Sequence, residues 1–417
     1  MRKFSPPPDW KSTKLGDLVS FGSGYGFPRS LQGHSDEEIP FFKVSDMSNE
    51  NNRRELTQAN NYVSLDTTNK EGWTPFPAGA IAFAKVGAAL LLNRRRLLVQ
   101  PSLVDNNMMV AIPGESVDST FLYWWLQIID FGMFVQPGVV PSVNQRQVGS
   151  LSVPLPSLPE QRRIAEILDA ADAAIRETER VIAKLREVKQ GLLHDLLTRG
   201  LDAHGHLRDP DVHPEQFKDS PLGRIPRAWE VTRLVEHFAF SSGQVDPTQE
   251  PYRDWPLIAP DHIESETGRL LKVETAAEQD AISGKYIFEP GDVVYSKIRP
   301  YLKKAVLVNQ VGLCSADMYP LQPHDTLDSR FLLAVILGED FSRFAIAVSM
   351  RSGFPKINRE EMGEYVTTLP PIEEQRRIAA VLHAHDARIR SEEAVLAKRR
   401  QVKRGLMDDL LTGRVRV

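Results

Sequence analysis

The chain is written twice. Glu160-Gln-Arg-Arg-Ile-Ala165 returns 214 positions later as Glu374-Gln-Arg-Arg-Ile-Ala379, and Val188-Lys-Gln-Gly-Leu-Leu-His-Asp-Leu-Leu-Thr198 returns as Val402-Lys-Arg-Gly-Leu-Met-Asp-Asp-Leu-Leu-Thr412 with no gap between. Register held over more than forty residues is the mark of a repeated structural unit. Fainter echoes precede each copy. Trp10 and Leu15 answer Trp229 and Leu234, Phe21-Gly-Ser-Gly24 answers Phe240-Ser-Ser-Gly243, Gly79 to Lys85 answers Gly291 to Lys297, and Asp118-Ser-Thr-Phe-Leu122 answers Asp328-Ser-Arg-Phe-Leu332. The order is globular unit, long helix, globular unit, long helix, with divisions at residues 1–155, 156–200, 201–368 and 369–417.

The repeated segments read as uninterrupted helices. Ile164, Leu168, Ala171, Ile175, Ile182, Leu185, Leu192 and Leu196 recur every three or four residues, and Ile378, Leu382, Ile389, Leu396, Leu406 and Leu410 occupy the matching places, which is a coiled-coil seam. Thr178, His385, Glu392, Arg399 and Lys403 interrupt it, at a cost in stability that can fix pairing and register. About 38 residues at ~1.5 Å each span about 57 Å, too long to hide on one small domain. The expected fold is therefore α+β: two globular mixed α/β units joined by two long antiparallel coiled-coil helices, pseudo-two-fold symmetric. A tandem array, or a dimer pairing the same seams in trans, is the competing geometry.

Composition sets the outer bounds. A chain of 417 residues, 41% hydrophobic and 25% charged, has the make-up of two to four folded units rather than of a disordered or multi-span membrane chain. Lys and Arg total 51 against 55 Asp and Glu, so binding to nucleic acid would have to come from local basic surfaces. Cys314 is the only cysteine, which excludes an internal disulfide and a Cys-based zinc cluster and fits a reducing cytoplasm. Residues 1–10 hold three consecutive prolines and no apolar stretch of signal-peptide length, so a cytoplasmic protein is expected. The most apolar window, Phe121 to Val135, is broken by Gln127 and Asp130 and reads as a core helix. His204, His206 and His213 lie in a Pro-rich connection over residues 199–228 that reads as a solvated linker.

Catalytic signatures are absent from the sequence. Phe21-Gly-Ser-Gly-Tyr-Gly26 offers glycines of the kind that cradle phosphates, but its counterpart at Phe240 keeps only the last aligned glycine, so a turn entering a strand is the reading. Pro370-Pro371 is followed by Ile372, not by the aromatic residue that base methyltransferases place there. No Gly-x-x-x-x-Gly-Lys-Ser/Thr loop for ATP occurs. Glu187-Val-Lys189 mimics a nuclease acid and lysine but falls on a helix surface.

Two sets of residues suit a duplex. Arg94, Arg95 and Arg96 follow Lys85, while Arg299, Lys303 and Lys304 follow the aligned Lys297, giving each unit phosphate anchors. Residues 138–146, with Ser142 and Arg146, and residues 351–359, with Arg351, Lys356 and Arg359, carry side chains able to reach base edges. Asn144 and Asn358 align between them, and capping a short helix is the preferred role for both.

At Leu155-Pro-Ser-Leu-Pro-Glu-Gln-Arg-Arg-Ile-Ala165 and Leu369-Pro-Pro-Ile-Glu-Glu-Gln-Arg-Arg-Ile-Ala379 the chain resembles the specificity subunits of type I restriction-modification enzymes. The likeness covers the whole length, including a Pro-x-Trp-like opening at Pro8 to Trp10 and its counterpart at Arg227 to Trp229, where the proline shifts to Pro226. The opening prolines and the His-rich connection are not part of that pattern. The resemblance implies two target-recognition domains, each reading half of a bipartite double-stranded DNA site, with the helices as a spacer. It also implies two methyltransferase subunits that bind S-adenosylmethionine and methylate adenine, and restriction subunits driven by ATP and Mg. No cofactor is expected on this chain, which would be non-catalytic and without membrane contact. The helices would dock the methyltransferases, with Gln161, Arg162, Arg163, Gln375, Arg376 and Arg377 as candidate contacts. The competing functions are a stand-alone DNA adenine methyltransferase and a coiled-coil adaptor without DNA specificity.

Overall fold

The computed structural model describes residues 7–135, 139–349 and 354–417. The repeated segments form single helices, Leu158–Thr198 of 41 residues and Ile372–Leu410 of 39, here called the central and C-terminal helices. Two compact units emerge, residues 1–179 with 394–417, and residues 180–393. Each unit therefore combines one globular part with half of each long helix, because the apolar seam is covered by a globular core at one end and by the other helix beyond it.

In the first unit a five-stranded sheet runs in the order Val19–Ser23, Met108–Pro113, Ile81–Ala84, Arg95–Leu98, Glu55–Leu56, antiparallel except for its last pair. A three-stranded sheet is ordered Tyr62–Val63, Ile39–Phe42, Leu103–Val104, antiparallel in its first pair and parallel in its second. The helix Ser119–Gln127 is capped by Asp118, which accepts from the amides of Thr120 and Phe121. It buries Phe121, Leu122, Trp124 and Trp125 against Ile164 and Leu168 of the central helix and Leu410 of the C-terminal helix. Each such aromatic removed from water contributes roughly 2–3 kcal/mol. The first part of the apolar window is thus a core helix, which ends at Gln127, and a separate 3-10 turn over Phe131–Phe134 capped by Asp130 follows it; no helix among the described residues is long and apolar enough to cross a membrane.

The second unit repeats the scheme. A four-stranded antiparallel sheet is ordered Phe238–Phe240, Met318–Pro323, Val293–Ser296, Ala305–Leu307, and a second sheet joins Glu274–Thr275, Pro256–Ile258, Gly312–Cys314 and Tyr286–Phe288. The helix Ser329–Leu337 carries the matching Asp328 cap and packs against Leu196, Ile378 and Leu382. Cys314 lies in the core, where burial pushes its thiol pKa up.

Helix pairing is antiparallel within each unit. Asp172 meets Lys403 and Thr178 meets Arg399 in the first, and Lys189 meets Asp386 at 2.6 Å and Arg186 meets Glu393 at 2.7 Å in the second. Three of the polar seam residues, Thr178, Arg399 and Lys403, are thereby partnered: Arg399 also donates to the carbonyl of Ala174 at 2.8 Å, and Lys403 lies 4.5 Å from the Trp124 ring. Lys189, read above as surface charge, belongs to this pairing.

Residues 199–228 are more ordered than a solvated linker. Leu201 and Leu207 bridge, Asp202 accepts from the amides of His204 and His206, and Phe217–Ser220 pairs with Gly223–Pro226 as a hairpin. The reason is a latch: Arg208 makes a bidentate pair with the buried Glu374, at 2.6 and 3.0 Å. In the first unit Arg416 holds the buried Glu160 in the same way, at 2.5 and 2.9 Å. His204, His206 and His213 themselves are exposed.

Gly22 and Gly24 of the run at Phe21 serve packing. A Cβ at Gly24 would stand 1.9 Å from the carbonyl oxygen of Asp105 and 2.4 Å from that of Val104, which backbone cannot yield. Gly24→Ala is expected to destabilise the first unit by about 3 kcal/mol or more, and differential scanning calorimetry should show that unit's transition alone moving down.

Candidate nucleic-acid interface

Each unit brings its aligned lysine against its repeated polar loop. In the first, Lys85 follows the strand Ile81–Ala84; its carbonyl accepts from the amide of Val143 at 2.9 Å, Val86 bridges Ser142, and the amide of Gly87 donates to Pro141 at 2.7 Å. The Lys85 ammonium donates to Ser23 Oγ at 2.8 Å. Ser142 and Arg146 are exposed beside it, so three sequence candidates share one surface. Ser23 and Gln145 join them, Gln145 Nε2 donating to the carbonyl of Phe21 at 3.5 Å. Both stood within repeated segments, but only the folded chain places Ser23 against Lys85 and Gln145 against the Phe21 carbonyl.

The second unit builds the same junction. The Lys297 carbonyl accepts from Ile357 at 2.9 Å, Ile298 bridges Lys356, and the Arg299 amide donates to Pro355 at 2.8 Å. Arg299 adopts a left-handed backbone, φ 48°, a strained state that persists where surrounding structure enforces it. Its guanidinium lies 5.4 Å from the exposed Phe354 ring. Lys356 is exposed. Arg359 is held in an aromatic cage, 5.1, 5.4 and 5.7 Å from the rings of Phe240, Tyr319 and Tyr286, and donates to the Ser241 carbonyl at 2.8 Å. Lys297 shares the Tyr319 ring at 5.2 Å.

Other candidates lie elsewhere. Arg95 and Arg96 occupy a strand whose residues are buried on both faces, which corrects their assignment as phosphate anchors. Arg95, fully buried, donates to the carbonyls of Asn93 and Ile129 at 2.5 and 2.6 Å and stacks 4.0 Å over Phe131; burial lowers its pKa to about 10. Arg96 donates to Arg95 and Met47 carbonyls at 2.8 and 3.0 Å, and burial lowers it too. Arg94 remains half-buried, donating to Ser48 Oγ at 2.5 Å. Lys303 pairs with Glu339 at 2.9 Å, whose carboxyl that contact holds below its ordinary range, and Lys304 donates to the Pro260 carbonyl at 2.7 Å. Arg351 lies outside the described residues.

Asn144 and Asn358 are helix caps. Asn144 accepts from the Gln147 amide at 2.9 Å and Asn358 from the Glu361 amide at 2.8 Å, each with the reciprocal bond of a capping box.

The repeated Glu-Gln-Arg-Arg motif splits by role. Gln161 is buried, accepting from the Asp118 amide at 2.7 Å and donating to Ser116 and Pro156 carbonyls at 3.2 and 3.0 Å. Gln375 repeats this with the Asp328 amide at 2.9 Å and the Thr326 and Pro370 carbonyls at 3.0 and 2.9 Å. Both bolt a long helix to its own globular part, which corrects their assignment as partner contacts. Arg162, Arg163, Arg376 and Arg377 stay exposed.

The comparisons agree with this architecture. Residues 7–187 and 226–398 match the family model described as the type I restriction modification DNA specificity domain. The chain is 27% identical over 389 residues to the type I restriction enzyme EcoDI specificity subunit of Escherichia coli, covering 89% of this chain and 80% of that one. It is 23% identical over 440 residues to the MjaVIII specificity subunit of Methanocaldococcus jannaschii, covering 99% and 94%. Two solved structures share the fold: a chain from a study of complex assembly and conformational transition in the type I R-M system, with TM-score 0.59, 19% identity and coverage of 99% and 100%, and the type I restriction-modification S subunit from M. genitalium, with TM-score 0.56, 13% identity and coverage of 98% and 97%. With a duplicated scaffold, two like junctions and a family match over most of its length, the chain belongs to the type I restriction-modification DNA specificity family.

Proposed function

We propose that each unit reads one half of a bipartite duplex through its lysine junction, and that the long helices set the distance between the halves. The observation that carries this is the junction itself: the same backbone bonds, from Val143 to Lys85 and from Ile357 to Lys297, present exposed polar side chains at equivalent places in two units whose sequences otherwise differ. Lys85, Lys297, Arg299 and Lys356 act as phosphate anchors. Ser142, Arg146, Ser23 and Gln145 reach base edges in one unit, and Arg359, oriented by its aromatic cage, does so in the other.

Catalysis belongs to partners. Two methyltransferase subunits carrying S-adenosylmethionine dock on the exposed Arg162, Arg163, Arg376 and Arg377, and restriction subunits supply ATP- and Mg-dependent cleavage. This chain holds no cofactor and works in the cytoplasm.

The test uses the chain assembled with its methyltransferase subunits, on a target found by mapping modified adenines in host DNA. Arg146→Ala is expected to weaken binding roughly tenfold and relax discrimination at one position of one half-site, as loss of a base contact does. Lys85→Ala should weaken all sequences alike and reduce the salt slope by about one. Unchanged affinity and specificity in both variants would reject the interface.

A further inference from the structure

Each unit contains one node of three charges in which a carboxylate on a long helix binds two arginines. In the first unit Glu179 of the central helix accepts from Arg400 of the C-terminal helix at 2.6 Å and from Arg53 of the globular part at 2.9 Å. In the second, Glu393 of the C-terminal helix accepts from Arg186 of the central helix at 2.7 Å and from Arg269 of the globular part at 2.6 Å. Glu393 stands 214 positions after Glu179, Arg400 stands 214 after Arg186, and Arg269 stands 216 after Arg53. The node is therefore part of the duplication, with the two helices exchanging roles. Nothing in the sequence singles it out, since the arginines of the globular parts fall outside the matching segments.

The geometry separates the node from an ordinary surface pair. Each glutamate engages a different arginine with each of its two oxygens, Oε1 toward the other helix and Oε2 toward the globular part. The glutamate side chains are only 24% and 22% exposed. At Glu393 burial would raise the carboxyl, but the hydrogen bonds and charges of Arg186 and Arg269 hold it below its ordinary range. Single exposed pairs contribute little, whereas networks with fixed geometry contribute more. The globular arms have further ties: Arg53 also lies 3.4 Å from Glu50, Arg269 lies 3.6 Å from Glu264, and the neighbouring Arg54 meets Asp169 of the central helix at 2.9 Å.

We infer that Glu179 and Glu393 are positioning residues that fix the angle of each recognition surface against its helix pair, so that the node sets how strictly the complex measures half-site separation. A globular part anchored to a helix only by its apolar core can rock about that contact. A second anchor, well away from the core at the Gln161 or Gln375 bolt, removes the rocking freedom. Phosphate and base contacts are untouched, so the node governs tolerance in spacing and not which bases are read.

This rests on the bipartite reading proposed above, and the test keeps the two apart. Complexes of the full chain with its methyltransferase subunits compete for duplexes carrying both half-sites at the native separation, or one base pair longer or shorter. Glu393→Gln and, separately, Glu179→Gln are expected to keep the same preferred bases in each half and an unfolding midpoint close to the parent's, while discrimination against the altered spacings falls roughly three- to tenfold. Arg269→Gln, which leaves Arg186 on Glu393, should give a smaller fall, and its combination with Glu393→Gln no more than Glu393→Gln alone. Should Glu393→Gln fail to fold, Arg269→Gln carries the test. Unchanged spacing discrimination in folded variants, or a loss that merely tracks a general loss of affinity, overturns the inference. A parent complex with no preference for a two-part site overturns the bipartite reading itself, and the inference with it.

Discussion

Exchanging residues 229–368 for the corresponding stretch of another specificity subunit is expected to replace one half of the DNA target and leave the other half unchanged. The borders of that stretch face each other. Strand Glu230–Arg233 pairs antiparallel with strand Val366–Leu369, Glu230 opposite Leu369 and Arg233 opposite Val366, so the incoming domain enters and leaves on one two-stranded ribbon. The long helices hold the domain through backbone groups, since Gln375 binds the Asp328 amide and the Thr326 carbonyl, and any sequence of the same fold offers these. What the incoming domain must also supply is an apolar face, since Phe331 and Leu332 pack in the core that contains Ile378 and Leu382, and an arginine in the place of Arg269 to reach Glu393. Specific sites exceed non-specific ones by roughly 10³- to 10⁷-fold, so mapped adenine modification should switch cleanly to hybrid sites. Sites altered in both halves, or in neither, would contradict the assignment of one reader to each unit.

The scaffold was legible because its signal is redundant. A seam written twice at a fixed offset gives both long helices, and the separate echo of Asp118 at Asp328 marks the start of a matching helix in each globular part. Burial of individual polar side chains was not. Arg95 and Arg96 read as surface because arginine is mostly exposed, yet their strand is covered on both faces and backbone carbonyls accept from the terminal nitrogens of both guanidiniums. Gln161 and Gln375 read as partner contacts because the motif repeats on a charged helix; an amide turned inward to a helix cap looks the same in sequence as one turned outward. Arg359, proposed above as a base contact, shows what sequence cannot supply in another way, since its aromatic cage comes from three separate strands. The proximity of Lys85 to Ser142 and of Lys297 to Lys356 was easier to anticipate, since they occupy paired positions that the duplication exposes.

Removing one heptad from both long helices, residues 180–186 with residues 394–400, is expected to shift the preferred separation of the half-sites by about three base pairs. Seven residues at ~1.5 Å shorten a helix by about 10.5 Å, about three base steps at ~3.4 Å each. Seven residues also turn a helix through almost two full revolutions, within ~20°, so the seam stays in register, while the cut removes Arg186 and Arg400, the interhelical partners of Glu393 and Glu179, so the shifted spacing should also be measured less strictly. Taking the heptad from the central helix alone cannot have this effect. Asp172 pairs with Lys403 before the cut and Lys189 with Asp386 after it, and a one-sided shortening lets only one of these pairs re-form, so assembly should fail. The matched deletion carries one further consequence. Three base steps rotate a half-site by about 100° around a duplex with ~10.5 base pairs per turn, whereas the shortened helices hardly rotate the readers, so the DNA must twist and affinity must fall. Selection of bound duplexes from a pool with randomised spacing should therefore recover a shorter spacer with weaker binding. An active complex that recovers the original spacing would show that something other than the helices measures the site.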